Sequence, residues 1–418
     1  MTRSQRTRSA RAIANDAAIL DAAINEVLRV GVDHVSLRDV GHRAGLTHGA
    51  TYARYEDVDE LLVDLWNSAL VQRASATFDL CMAAAQSPSA RSVRELFEVV
   101  RDASPADVAS VHLLLTARRI PTLNEEVEPF ILTRFDFDPE ASERDKAVFA
   151  RGLTLFAMTM MQIFSVSQFG WDRDFQEALE RLVAETLIVD PESVTPVALL
   201  ESDDRVVMAP GDDLKAQLAY ATFGVVGKSG YTRATISRIA RRANCSPGAI
   251  YKLYPSKEDL VIAAFHDLMR ARWMKVANFV DILEEGSLAQ LLHASASVHN
   301  AVRQNFTLET TLAGAHNDKL RAAVLGQIAE LEAIGPLINV SDEETDGLRY
   351  LVRSVVFLTV GVNFLSTVTN VTRRVDFNQF TEPFRRALLA DAVPSWPHIC
   401  QQILKAVQSG EIKAAANS

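Results

Sequence analysis

Residues 235–254 read Thr-Ile-Ser-Arg-Ile-Ala-Arg-Arg-Ala-Asn-Cys-Ser-Pro-Gly-Ala-Ile-Tyr-Lys-Leu-Tyr. Thr235 and Ser246 are N-capping residue types, and each opens a short run with apolar residues on one face. Between the runs stands Asn244, one of the few non-glycine residues that tolerates positive φ. Two short helices joined by so tight a turn form a helix-turn-helix, whose second helix is the one that enters a major groove.

The same pattern occurs about 199 residues earlier. Residues 36–55 read Ser-Leu-Arg-Asp-Val-Gly-His-Arg-Ala-Gly-Leu-Thr-His-Gly-Ala-Thr-Tyr-Ala-Arg-Tyr. Ser36 with Asp39 makes a capping box, Gly45 takes the place of Asn244, and Thr47 that of Ser246. Upstream, Ala17, Leu20, Ile24, Val27 and Leu28 share one helix face that ends at Gly31, as Ala216, Ala219, Phe223 and Val226 do before Gly230. Both glycines are expected in the left-handed C′ conformation that ends a helix. Downstream, Asp57-x-x-Glu60 and Ser256-x-x-Asp259 open a fourth helix. The register continues more weakly at an offset of about 202, where Arg151 falls on Arg353 and Asp174-Phe175 on Asp376-Phe377. These residues flank two apolar stretches, Leu153–Phe164 and Val355–Ser366, and point to duplication of a whole unit.

Thr235, Ile239, Ala240, Ala243, Ser246, Gly248, Ile250, Tyr251, Tyr254, Lys257 and Leu260 together resemble the N-terminal domain of the TetR family of one-component repressors. In the first copy Gly41, Thr51 and Val58 depart from that pattern. The resemblance covers two segments of about 55 residues and implies an all-α chain of two tandem units. Each unit would be a three-helix helix-turn-helix domain followed by a helical ligand-binding and dimerisation-like domain. The expected layout is a basic arm (1–13), a first reader (14–73), a helical regulatory domain (74–190) and a linker (191–212) bearing Pro191, Pro196, Pro210 and Gly211. A second reader (213–272), a second regulatory domain (273–405) and a flexible tail (406–418) follow.

Charge separates the two readers. The 418-residue chain has net charge −10, so phosphate binding requires locally concentrated basic residues. From Leu214 to Lys257 there are eight lysines and arginines and no acid: Lys215, Lys228, Arg233, Arg238, Arg241, Arg242, Lys252 and Lys257. In the first reader Asp33, Asp39, Glu56 and Asp57 offset Arg38, Arg43 and Arg54, and its basic charge sits in the arm at Arg3, Arg6, Arg8 and Arg11. Such an arm suits a narrow minor groove. The candidate DNA-facing residues are Arg3, Arg6, Arg8, Ser36, Thr47, His48, Gly49 and Tyr52 in the first copy. In the second they are Thr235, Ser246, Pro247, Gly248, Tyr251, Lys252 and Lys257. Hydroxyls and amines would meet phosphates, glycines would let the backbone approach, and His48 and Pro247 would face base edges.

The remaining segments carry helical periodicity rich in Met and Phe, which as bundle core needs no ligand. The resemblance implies a pocket for a small hydrophobic effector, for which His112, Phe156, Met160, Phe164, His316, Phe357 and Asn363 are candidates. Arg118 and Arg119 are further polar groups that nothing in the sequence singles out. No GxSxG elbow, P-loop or GxGxxG motif points to an enzyme, and no cofactor or metal is expected, since His293 and His299 lie off any common helix face. Three cysteines, Cys81, Cys245 and Cys400, make no disulfide framework and fit a reducing cytoplasm. No secretory signal or uninterrupted membrane span is read. The expected partner is a double-stranded operator occupied by one chain as an intramolecular pseudo-dimer and probed by two unlike readers. The alternative is a small-molecule sensor in which only the second reader binds DNA.

Overall fold

The computed structural model describes residues 10–169, 173–197, 213–276, 286–296, 301–332 and 342–391. Every regular element among them is helical. The chain opens with α1 (Ala10–Val30), α2 (Leu37–Arg43) and α3 (His48–Tyr52). Helix α4 (Val58–Leu65) runs through a π turn at Trp66–Leu70 into α5 (Val71–Gln86). Further along the chain, the elements α11 (Leu214–Arg233), α12 (Ile236–Arg242), α13 (Pro247–Leu253) and α14 (Lys257–Val276) repeat this order.

Local chemistry explains the boundaries. The Ser36 hydroxyl accepts from Asp39 N, Thr235 from Arg238 N and Ser246 from Ala249 N, while Asp57 and Ser256 cap the fourth helices. Gly45 and Asn244 turn the chain at φ 67° and 52°. Gly31 (φ 79°, ψ 157°) and Gly230 (φ 78°, ψ 161°) differ from the expected left-handed helical cap. They occupy the mirror-extended region that is in practice open only to glycine, so the chain leaves α1 and α11 straight into a short extra turn.

The body consists of α6 (Ala90–Arg101), α7 (Pro105–Ala117), α8 (Pro121–Arg134), α9 (Glu143–Phe169) and α10 (Arg173–Ile188). The second half adds α15 (Ser287–Ala296), α16 (Ala301–Gly314), α17 (Asp318–Glu332), α18 (Asp342–Val368) and α19 (Asn378–Asp391). Helix α7 is buried on every side from Val108 to Ala117, so it is a central strut rather than an amphipathic surface helix. Helices α9 and α18 pack together, as do α10 and α19. At the α9–α18 crossing a Cβ on Gly361 would lie 2.8 Å from the Ala157 carbonyl carbon, so glycine permits the approach. Gly227 does the same between α11 and α16, where a Cβ would lie 2.8 Å from Val302 O.

Two further features bear on the expected layout. Helix α9 is long and apolar enough to cross a membrane, yet 89% of its apolar window is buried within the protein. At the start of the expected linker Asn378 donates to Thr195 O at 2.8 Å, and the short turn Pro191–Ser193 packs on α9. Residues 198–212 fall outside the described residues.

Candidate nucleic-acid interface

In the second reader, α13 presents a continuous exposed face of Ser246, Pro247, Gly248, Tyr251, Lys252 and Leu253, while Ile250 is buried beneath it. Pro247 occupies the first helical position, where its missing N–H costs nothing. A Cβ on Gly248 would meet only Ser246 Oγ, at 3.8 Å, so packing does not demand glycine there. Lys228, Arg241 and Arg242 are also exposed, with Arg242 5.9 Å from the Tyr220 ring centroid. Lys257 is tied into the fold: its Nζ donates to Tyr231 O at 3.1 Å and sits 3.9 Å from the Tyr231 ring. Burial lowers its pKa. Tyr231 in turn donates to Glu258, and burial with that bond holds the phenol well above its ordinary value.

The first reader is built differently. Helix α3 has five residues against seven in α13, and Thr47 makes no side-chain cap bond. Gly49 faces open space, and Tyr52 is 47% exposed. The His48 side chain and Arg3, Arg6 and Arg8 lie outside what the structure describes. Arg43 pairs with Glu26 at 2.7 Å, Arg29 pairs with the same carboxylate at 2.7 Å, and Arg54 pairs with Asp16 at 2.6 Å. Burial alone would raise the Glu26 carboxyl, but the Arg29 and Arg43 hydrogen bonds carry it below its ordinary value. In the second copy Val225 stands at the Glu26 position, so Arg242 has no such partner there. Gly41 and Thr51, two departures from the family pattern, face each other: a Cβ at 41 would collide with Thr51 Oγ1. The buried Thr51 hydroxyl has no hydrogen-bond partner among the described residues.

The two helix-turn-helix segments also touch each other. Thr232 Oγ1 lies 3.2 Å from His34 Nε2, and Arg233 Nε lies 4.0 Å from Asp33. Under the offset of about 199, Asp33 corresponds to Thr232 and His34 to Arg233, so each contact is the exchange of the other. Arg119 contacts Asp33 and, at 3.0 Å, Glu309. His112 and His316 face each other with ring centroids 5.7 Å apart. Helix α7 ends at Ala117 and α16 at Gly314; in that register His112 corresponds to Glu309 and Arg119 to His316. The Arg119–Glu309 and His112–His316 contacts are therefore reciprocal too. So are the approaches of a Gly31 Cβ to His316 (2.9 Å) and a Gly230 Cβ to Arg119 (3.0 Å). Sequence reading left Arg118, Arg119 and Glu309 unassigned, because their partners lie up to about 190 residues away.

The candidate ligand residues do not gather at one place. His112, His316 and Phe164 come together, the last 5.2 Å from His112. Phe156 joins Phe78 and Phe135 in the first-half core, where Met160 is also buried. Phe357 stacks on Phe175 across α18 and α10. Asn363 is buried with its Oδ1 unpaired among the described residues. Burial pushes the His112 pKa down to about 3 and lowers that of His316, so both rings are neutral. No group of three or more potential metal ligands occurs among the described residues.

Residues 221–264 match the family model of bacterial regulatory proteins, tetR family. The chain is also 29% identical over 101 residues to the Fatty acid metabolism regulator protein of Bacillus subtilis (strain 168). That match covers 24% of this chain and 46% of the relative, about half of its length. The family match places a DNA-binding segment of tetR type at residues 221–264.

Proposed function

We propose that the chain is a cytoplasmic transcriptional repressor that occupies an operator as a single-chain pseudo-dimer with two unlike readers, in which the candidate residues above face DNA. The observation that carries this reading is the reciprocity of contacts: Asp33–Arg233 with His34–Thr232, and Arg119–Glu309 with His112–His316. Exchange of equivalent positions across an interface is what an isologous dimer requires. The α9–α18 and α10–α19 packing supplies, within one chain, the apolar interface that a homodimer builds between two. A small hydrophobic effector would release the operator. The name of the Bacillus subtilis relative makes acyl compounds the first class to assay.

The test is the mass of the complex by analytical ultracentrifugation on an operator selected from random DNA. One chain per site is expected, and two chains per minimal site would overturn the reading. A second reading, DNA binding by the second reader alone, is favoured by one set of observations. The family match stops short of the first reader, Thr47 lacks its cap bond, and Arg43 and Arg54 are engaged by acids. A footprint covering one major-groove face instead of two would favour it.

A further inference from the structure

Four charged side chains meet where the readers adjoin, and they balance: Arg118 and Arg119 against Glu309 and Asp33. Glu309 is 2% exposed, Arg119 6%, Asp33 11% and Arg118 15%. They come from three parts of the fold. Asp33 sits in the turn that closes α1 of the first reader. Glu309 lies on α16, which packs along α11 of the second reader. Arg118 and Arg119 end the central strut α7, which itself packs on α1. Arg119 bridges Asp33 to Glu309, and Arg118 joins Glu309 to the Gly227 carbonyl of α11 at 3.0 Å. One strut thus grips the first reader through Asp33 and the second through Gly227 and Glu309. Guanidinium groups bind carboxylates with fixed geometry, so such a grip sets a distance as well as an energy. At the reciprocal position stand two neutral histidines, which pack but offer no comparable ionic clamp.

We propose that the Arg119-centred cluster is a spacing lock: it fixes the separation of the two readers and so determines which half-site spacing the protein accepts, without choosing the bases read. This rests on the two-reader reading above.

The experiment uses the full chain and a selected operator in which the distance between half-sites is varied one base pair at a time. Affinity is measured at constant salt. Wild type is expected to show a sharp optimum, losing about tenfold or more on a shift of two base pairs, because each base pair both translates and rotates the second half-site. Glu309→Gln and Asp33→Asn, which keep side-chain shape, are expected to flatten the profile, bringing neighbouring spacings within about threefold of the optimum. The bases selected within each half-site should not change. Asp33→Asn is the milder variant, since Arg119 keeps Glu309, and it serves if Glu309→Gln fails to give a cooperative thermal transition. A profile of unchanged shape in the folded variants, whether or not affinity falls uniformly, overturns the lock alone. A wild type indifferent to spacing overturns the two-reader reading and the lock with it.

Discussion

Gly248 is the residue at which folding and function separate most cleanly. Nothing in the protein needs a glycine there, since a Cβ would meet only Ser246 Oγ at ordinary distance. Alanine in a helix is more favourable than glycine by about 0.5–1 kcal/mol. Gly248→Ala is therefore expected to hold or raise the Tm while weakening operator binding by about tenfold, because the added methyl meets the DNA backbone. Unchanged affinity in a gel-shift titration would remove Gly248 from the interface. The capping residues give a matching contrast. Ser246→Ala removes a real cap and should cost about 1 kcal/mol of stability, whereas Thr47→Ala should cost much less, since Thr47 makes no such bond. Chemical denaturation of the two variants decides this. His112 gives a pH signature. Its folded pKa lies near 3, below the ordinary value of 6.5, so the unfolded chain takes up the proton first as pH falls. Stability from this group is complete above about pH 6.5 and is lost below it, by up to about 1.4 kcal/mol per pH unit. His112→Phe should flatten the fall of Tm between pH 6.5 and 5.

At the scale of elements, the helices that were legible in the sequence are those fixed by neighbours three or four residues apart. Ser36, Thr235, Ser246, Asp57 and Ser256 cap where their spacing says, and the turns at Gly45 and Asn244 take positive φ. Long-range commitments were not legible. The Lys257 bond to the Tyr231 carbonyl has no local signal, Gly41 and Thr51 read as two separate departures but face each other, and the Arg118–Arg119 grip has no local pattern at all. Each depends on a partner that only the tertiary fold brings near. The crossing of α9 and α18 is of the same kind. Since the Ala157 backbone leaves no room for a Cβ, Gly361→Val should push the helices apart, costing about 1–3 kcal/mol or more, with a lower Tm and weaker operator binding. A stability equal to wild type would mean that the crossing is looser than its geometry indicates.

At the scale of the whole molecule, the readers are not interchangeable. The second has eight basic residues and no acid between Leu214 and Lys257 and a well-capped reading helix, while in the first Arg43 and Arg54 are engaged by Glu26 and Asp16. The selected operator should accordingly be asymmetric, and Tyr251→Phe should weaken binding more than Tyr52→Phe. Recovery of a perfect palindrome would count against this ordering. The packing of α9 on α18 inside one chain also has a genetic consequence. Where subunits assemble from a common pool, a defective allele enters mixed assemblies and disables healthy partners. Under the proposed single-chain reading, a regulator that finds its second half on its own polypeptide has no pool to contaminate. A variant unable to hold DNA should then be recessive: co-expressed in equal amount with wild type, it leaves control of a reporter gene intact.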